Sequence, residues 1–254
     1  MEISVRSNVG KRRKTNQDYA DYFVTSEDCY LFVLCDGVGG HLAGDVASEL
    51  TAKFLGNLFK DYRVTFTDQQ STEWIRDAVE GVNQYIYQKS LEDNQLEGMG
   101  TTLIMALISG DSIYIAHVGD SRAYAFSQGE LVQLTEDQSL VNELIRIGEI
   151  TAEEGLEHPS RNIVTQSIGI TPTVSYELAK LSMHEIDRLM LCSDGLTNML
   201  TLEEMNQLFA QQTDIDALGL QLIDKANEAG GKDNITLILL TCPQIEATVG
   251  GDGE

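Results

Sequence analysis

Two stretches of the chain read almost alike. Residues 32–41 are F-V-L-C-D-G-V-G-G-H and residues 189–196 are L-M-L-C-S-D-G-L. Each is an apolar run that ends in Asp-Gly, at Asp36-Gly37 and at Asp194-Gly195. A third carboxylate, Asp120, lies in H-V-G-D-S-R between two strand-like runs. A fourth, Asp233, lies in G-G-K-D-N-I-T just before another, and Asp18 in T-N-Q-D-Y is a candidate fifth. A carboxylate at the mouth of a buried sheet is costly without compensation. Several together raise one another's pKa. A divalent cation relieves both problems. An oxygen-only donor set, without His or Cys, points to a hard ion such as Mg²⁺ or Mn²⁺. Glycine after the aspartate leaves the backbone carbonyl free to approach that ion. The bland alternative is that Asp-Gly is a turn dipeptide at a strand end. Repetition of the pattern beside apolar runs weighs against it. His41 follows a Gly-rich turn, and the ordinary pKa of an imidazole suits a general acid near neutrality. Its competing role is to pack against or cap the next helix. His117 falls inside a strand pattern and reads as a satisfied core residue, while His158 and His184 carry no supporting pattern.

The elements that must hold these residues are legible. Residues 30–35 are continuously apolar, as in a strand buried on both faces. Runs 101–108 and 112–118 flank Ser109-Gly110-Asp111, and runs 123–126 and 131–134 flank Gln128-Gly129; both read as hairpins. Runs 189–192 and 235–241 complete the strands. Helical spacing of apolar residues appears over 43–62, 72–91, 202–211 and 215–229. Residues 139–155 read as a small, polar helical insertion anchored by Leu140, Leu144, Ile145 and Ile147. Hairpins with segregated helices predict an α+β layout. A doubly wound parallel sheet would need helices between most strands, and they are missing.

The bulk numbers agree. The 254 residues suit one large domain or two small ones. The balance of 17 basic against 40 acidic residues gives a net charge of −23. Such a field repels nucleic acid and anionic membrane surfaces and attracts divalent cations. No run of about 18 apolar residues exists, so no membrane span is expected. The N-terminus lacks the apolar stretch of a secretory signal, which predicts a cytoplasmic protein. The four cysteines form no C-x-x-C pair, so neither a zinc site nor a disulfide framework is expected.

Taken in order, R-K-T-N-Q-D, D-G-V-G-G-H-x-A-G, G-M-G-T-T, A-H-V-G-D-S-R, L-C-S-D-G-L and G-G-K-D-N-I-T resemble the protein phosphatase 2C family, the metal-dependent Ser/Thr protein phosphatases, in its bacterial form. The resemblance extends to about Thr241. It implies a four-layer α-β-β-α sandwich of two mainly antiparallel sheets flanked by helix pairs. The expected organisation is one catalytic domain over 1–241, a flap at about 140–164 and a loose tail over 242–254. It further implies that Asp36 bridges two metals, that Gly37 offers its carbonyl to one, and that Asp194 and Asp233 complete the other. Asp18 would hold metal-bound waters, and Asp120 with Asp194 matches a third, weaker site. Arg13, five residues before Asp18, matches the phosphate-binding arginine, whose guanidinium can take two phosphate oxygens. By itself it belongs to a solvated K-R-R-K cluster in which Arg12 is the alternative. Two close Mg²⁺ or Mn²⁺ ions would lower the pKa of a bridging water and clamp the phosphoryl oxygens. Many relatives carry a histidine where Gln138 stands, a departure that argues against any polar role at that position and leaves the metal set intact.

The reading is a monomeric phosphatase acting on phosphoserine and phosphothreonine in proteins, with a Ser/Thr kinase as its counterpart. Two alternatives share the motifs: a catalytically silent regulatory module on the same fold, and a phosphatase for small phosphate esters or phosphotyrosine.

Overall fold

A computed structural model describes residues 1–25, 29–38, 43–61, 66–156 and 158–242. The chain begins with β1 (Ile3–Asn8), β2 (Asp18–Val24) and β3 (Tyr30–Val38), followed by helices α1 (Gly44–Lys60) and α2 (Asp68–Glu92). Next come β4 (Gly100–Thr101), β5 (Leu103–Ser109), β6 (Ser112–Val118), β7 (Arg122–Ser127) and β8 (Glu130–Gln133). Short helices α3 (Leu140–Arg146) and α4 (Ala152–Leu156) precede β9 (Glu177–Ser182) and β10 (Arg188–Cys192). The chain closes with α5 (Asp194–Thr197), α6 (Leu202–Gln211), α7 (Ile215–Glu228) and β11 (Ile235–Thr241). Among the described residues no helix is long and apolar enough to cross a membrane.

The strands form two antiparallel sheets. One runs β1-β11-β10-β7-β8; the other runs β2-β3-β5-β6-β9, with β4 paired to β3. The continuous apolar runs have a simple cause, because alternate side chains on one strand enter different cores. Phe32 and Leu34 of β3, with Ile104 and Ala106 of β5, meet Leu189, Leu191, Ile238 and Leu240 from the other sheet. Leu31, Val33 and Cys35 point the opposite way, into a core with α1 and α2. Met190, Cys192, Leu237 and Leu239 likewise face Leu196, Phe209, Leu218 and Leu222 of the second helical layer. Three stacked cores make the four-layer α-β-β-α sandwich that the resemblance implies.

Several elements differ from expectation. The helix expected from residue 72 begins at Asp68, because Thr67 caps it in a reciprocal box with Gln70. The run 101–108 is two strands, broken at Thr102. That residue leaves the ladder to grip β3: the Asp36 N–H donates to Thr102 Oγ1 at 3.0 Å, and the Thr102 N–H donates to Asp36 O at 2.8 Å. The β5-β6 hairpin pairs Ser109 with Ser112, and the β7-β8 hairpin turns on Gln128-Gly129, both at positive φ. In the insertion the buried anchor is Val141, whereas Ile147 is exposed. The insertion leaves and returns at one point, where Ser139 bridges Val164 and the Leu140 N–H donates to Ile163 O at 2.8 Å. The tail beyond Cys242 lies outside the described residues.

Candidate active site

The strand ends expected to carry carboxylates converge on one cleft. It has a volume of about 460 Å³ and is lined by Arg13, Asp36, Gly37, Asp120, Asp194 and Asp233, with residues between 162 and 171 opposite. Asp36 lies two residues before the end of β3, Asp120 sits in the β6-β7 connection, Asp194 opens α5 and Asp233 lies two residues before β11. All four are half-buried. Asp18 lies behind them, 8 % exposed, and its Cα is the ladder partner of Asp36. Arg12 does not line the cleft; Arg13 does. His41 lies outside the described residues.

The two Asp-Gly dipeptides are not turns. Neither Gly37 nor Gly195 has a positive φ. Each is glycine because another backbone passes where a Cβ would stand. At Gly37 that atom would come within 2.5 Å of Gly44 C and O, at the start of α1. At Gly195 it would come within 1.8 Å of Asn234 O. The second contact seats Asp194 beside Asp233, on neighbouring segments that are remote in sequence.

The electrostatics follow from crowding. Burial holds Asp36 well above the usual carboxylate range, and repulsion from Asp18, Asp194, Asp120 and Asp233 adds to it. Burial, then repulsion from Asp194 and Asp137, raises Asp120 to about 7. Burial and Asp233 raise Asp194, against a hydrogen bond shared with Asp36, the charge of Arg122 and a hydrogen bond from Asn198. Burial raises Asp18 to about 6 although hydroxyls of Thr236 and Ser193 favour its ionised form. Asp18 Oδ2 accepts from Ser193 Oγ at 2.8 Å, while Oδ1 is buried without a hydrogen-bond partner.

This donor set fits divalent cations. The oxygens are hard, their mutual repulsion calls for positive charge, and one buried carboxylate oxygen is orphaned. Among the described residues no three such side chains already close around a single point. Arg13 Nη2 donates to Asp233 Oδ2 at 2.6 Å, so one carboxylate already has a cation beside it.

Several supporting residues escaped sequence reasoning. Asn198 Nδ2 donates to Asp194 Oδ2 at 2.9 Å. Arg122 pairs with both oxygens of Asp137 at 2.7 and 2.6 Å, next to Asp120. Gln138 has a polar role after all: its Oε1 accepts the Gly119 N–H at 2.9 Å and steadies the turn that carries Asp120. His117 is buried, with Nε2 at 2.8 Å from Glu136 O, as a core residue should be. Ser193 and Thr236 stand inside motifs that flagged only their neighbouring aspartates, and Asn198 lies two residues beyond one.

The comparisons agree with this arrangement. The family model described as protein phosphatase 2C matches residues 10–218. The serine/threonine phosphatase stp of Listeria welshimeri is 37% identical over 94% of this chain and 95% of its own length. The protein phosphatase PhpP of Streptococcus pneumoniae is 40% identical over 97% of this chain and 100% of its own. The crystal structure of serine/threonine phosphatase Stp1 from Staphylococcus aureus superimposes with a TM-score of 0.91 at 36% identity, over 95% of each chain. Motifs, sandwich and carboxylate cleft converge: the chain belongs to the protein phosphatase 2C family.

Proposed function

We propose that this chain is a protein-serine/threonine phosphatase whose metals are held by Asp36, Gly37, Asp194 and Asp233, with Asp120 and Asp194 serving a third ion. The observation that carries the reading is the cleft itself, where four carboxylates stand beside a single guanidinium. The family is metal-dependent. The all-oxygen donor set supports Mg²⁺ or Mn²⁺, two ions at the core of the site. When bound, such ions activate water and neutralise phosphoryl oxygens.

The chain's own residues do the rest. Arg13 is half-exposed and its pair with Asp233 is solvent-facing, so the guanidinium separates at little cost and turns to the phosphoryl group. Asp18 stands behind the ligands, where its orphaned oxygen would accept a hydrogen bond from water held by a bound ion. Asn198 fixes the Asp194 carboxylate, and Ser193 and Thr236 fix Asp18 behind it. His41 is retained as the general acid to the leaving hydroxyl, on its sequence position. The reading extends to phosphorylated proteins as substrates, a Ser/Thr kinase as counterpart, a monomeric state and a cytoplasmic location. It also takes 1–241 as one catalytic domain with residues 140–164 as its flap.

The test is phosphate release from a phosphothreonine peptide. Release should require added Mn²⁺ and stop with chelator. Asp36→Ala or Asp233→Ala should lower it at least about a hundredfold, since several kcal/mol of charge stabilisation are withdrawn. Unchanged turnover in either variant would overturn the assignment, and equal rates on phosphotyrosine peptides would change the substrate class.

A further inference from the structure

Arg13 depends on its backbone for direction. Its side chain is 46% exposed, and the partner it meets is the Asp233 carboxylate. The segment that carries it, residues 9–17, contains neither helix nor strand. One side chain from the far end of the sequence grips that segment on both sides of the arginine. Asn234 Oδ1 accepts the Gln17 N–H at 2.8 Å, and Asn234 Nδ2 donates to Val9 O and Thr15 O, each at 3.0 Å. Asn234 is 4 % exposed, whereas Val9 and Thr15 are exposed residues, so the three bonds are half-buried. The backbone N–H of the same residue donates to Asp233 Oδ1 at 2.8 Å. Gly231 O adds weaker support by accepting from Lys11 N and Arg12 N at 2.8 and 3.2 Å. A single residue thus joins the carboxylate loop to the arginine loop.

We propose that Asn234 is a positioning residue that aims the Arg13 guanidinium at the substrate phosphoryl group. The inference deepens the phosphatase reading and rests on it. The side chain must supply one acceptor and two donors at once. An amide does so; a carboxylate lacks the donors, and serine or alanine lacks the reach. Without it the Val9 and Thr15 carbonyls and the Gln17 N–H would lose the partners that hold the segment in place.

A double-mutant cycle tests the proposal, with kcat and KM measured on a phosphothreonine peptide in Mn²⁺. Asn234→Ala should raise KM about tenfold, the equivalent of losing one well-made hydrogen bond, with a smaller effect on kcat. Arg13→Ala should do the same, and the double variant should be no worse than Arg13→Ala. In metal-free protein, the Gln17 amide should exchange with solvent about tenfold faster in Asn234→Ala than in wild type. Full additivity of the two losses, or lowered thermal stability with KM unchanged, would overturn the proposal. Should Asn234→Ala fail to fold, the same cycle with Asn234→Ser decides. Absence of phosphate release from the wild type would instead overturn the phosphatase reading, so the two failures are distinct.

Discussion

Asp18 and Asp36 are direct ladder partners across β2 and β3, and like charges placed opposite one another repel. That repulsion raises Asp36, whereas Asp18 is raised chiefly by its own burial, and its shift can be read as a pH dependence. Asp18 titrates near pH 6 in the folded chain, chiefly because it is buried, against about 4 when unfolded. Between those values the folded state holds a proton that the unfolded state has lost. The stability contributed by Asp18 is therefore complete below about pH 4 and is lost as the pH rises through about 6. In chelated protein, Asp18→Asn should gain stability relative to wild type as pH climbs from 4 to 7, followed by denaturant unfolding. A difference that stays flat over that window would refute the cause assigned to the shift. The aspartates themselves were legible in the sequence, since a carboxylate ending an apolar run is conspicuous. Ser193, Thr236, Asn198 and Asn234 were not. They are ordinary polar residues until the strand register brings residues 18 and 193, or 17 and 234, within hydrogen-bonding distance.

At the scale of elements, the site is set by how closely backbones approach. Gly195, in the first turn of α5, lies against the Asn234 carbonyl, and a Cβ there would stand 1.8 Å from the oxygen. Gly195→Ala should cost about 1–3 kcal/mol, as overpacking does, and should also displace Asp194 from Asp233. A control separates this from a general glycine effect. Gly81 lies inside α2, where a Cβ would meet Phe54 at an ordinary 3.6 Å. Gly81→Ala should stabilise by about 0.4–1 kcal/mol through unfolded-state entropy, with phosphate release unchanged. Equal thermal shifts in the two variants would contradict the close approach. The buried strands were legible because both their faces are apolar. Three others were not. β1, β2 and β9 lie at sheet edges and mix polar with apolar residues, so no clean period survives. α5 was hidden by its length, a single turn whose first residue looked like a turn aspartate.

For the whole molecule, the net charge of −23 and the carboxylate cleft destabilise the fold by different routes, and salt distinguishes them. Diffuse self-repulsion is screened by any electrolyte, over a Debye length of about 10 Å at 0.1 M. It should weaken gradually, without saturation. The cleft is local: repulsion from four neighbouring carboxylates acts on Asp36 itself, and burial limits screening. Only an ion seated among them relieves it. Titrating Mg²⁺ at constant ionic strength should therefore leave the melting temperature unchanged well below the dissociation constant and raise it logarithmically above it. The stabilisation should reach about 2.7 kcal/mol at a hundred times the dissociation constant and grow by about 1.4 kcal/mol with each further tenfold. Sodium chloride should give a shallower rise with no such threshold. Asp36→Asn separates the two effects within one molecule. The variant should be more stable than wild type in chelator, because a crowded buried charge is gone, and should keep its response to sodium chloride. Its logarithmic response to Mg²⁺ at constant ionic strength should largely vanish. If Asp36→Asn responds to Mg²⁺ as wild type does, the cation stabilises through the general acidic field, and the cleft is not where it binds.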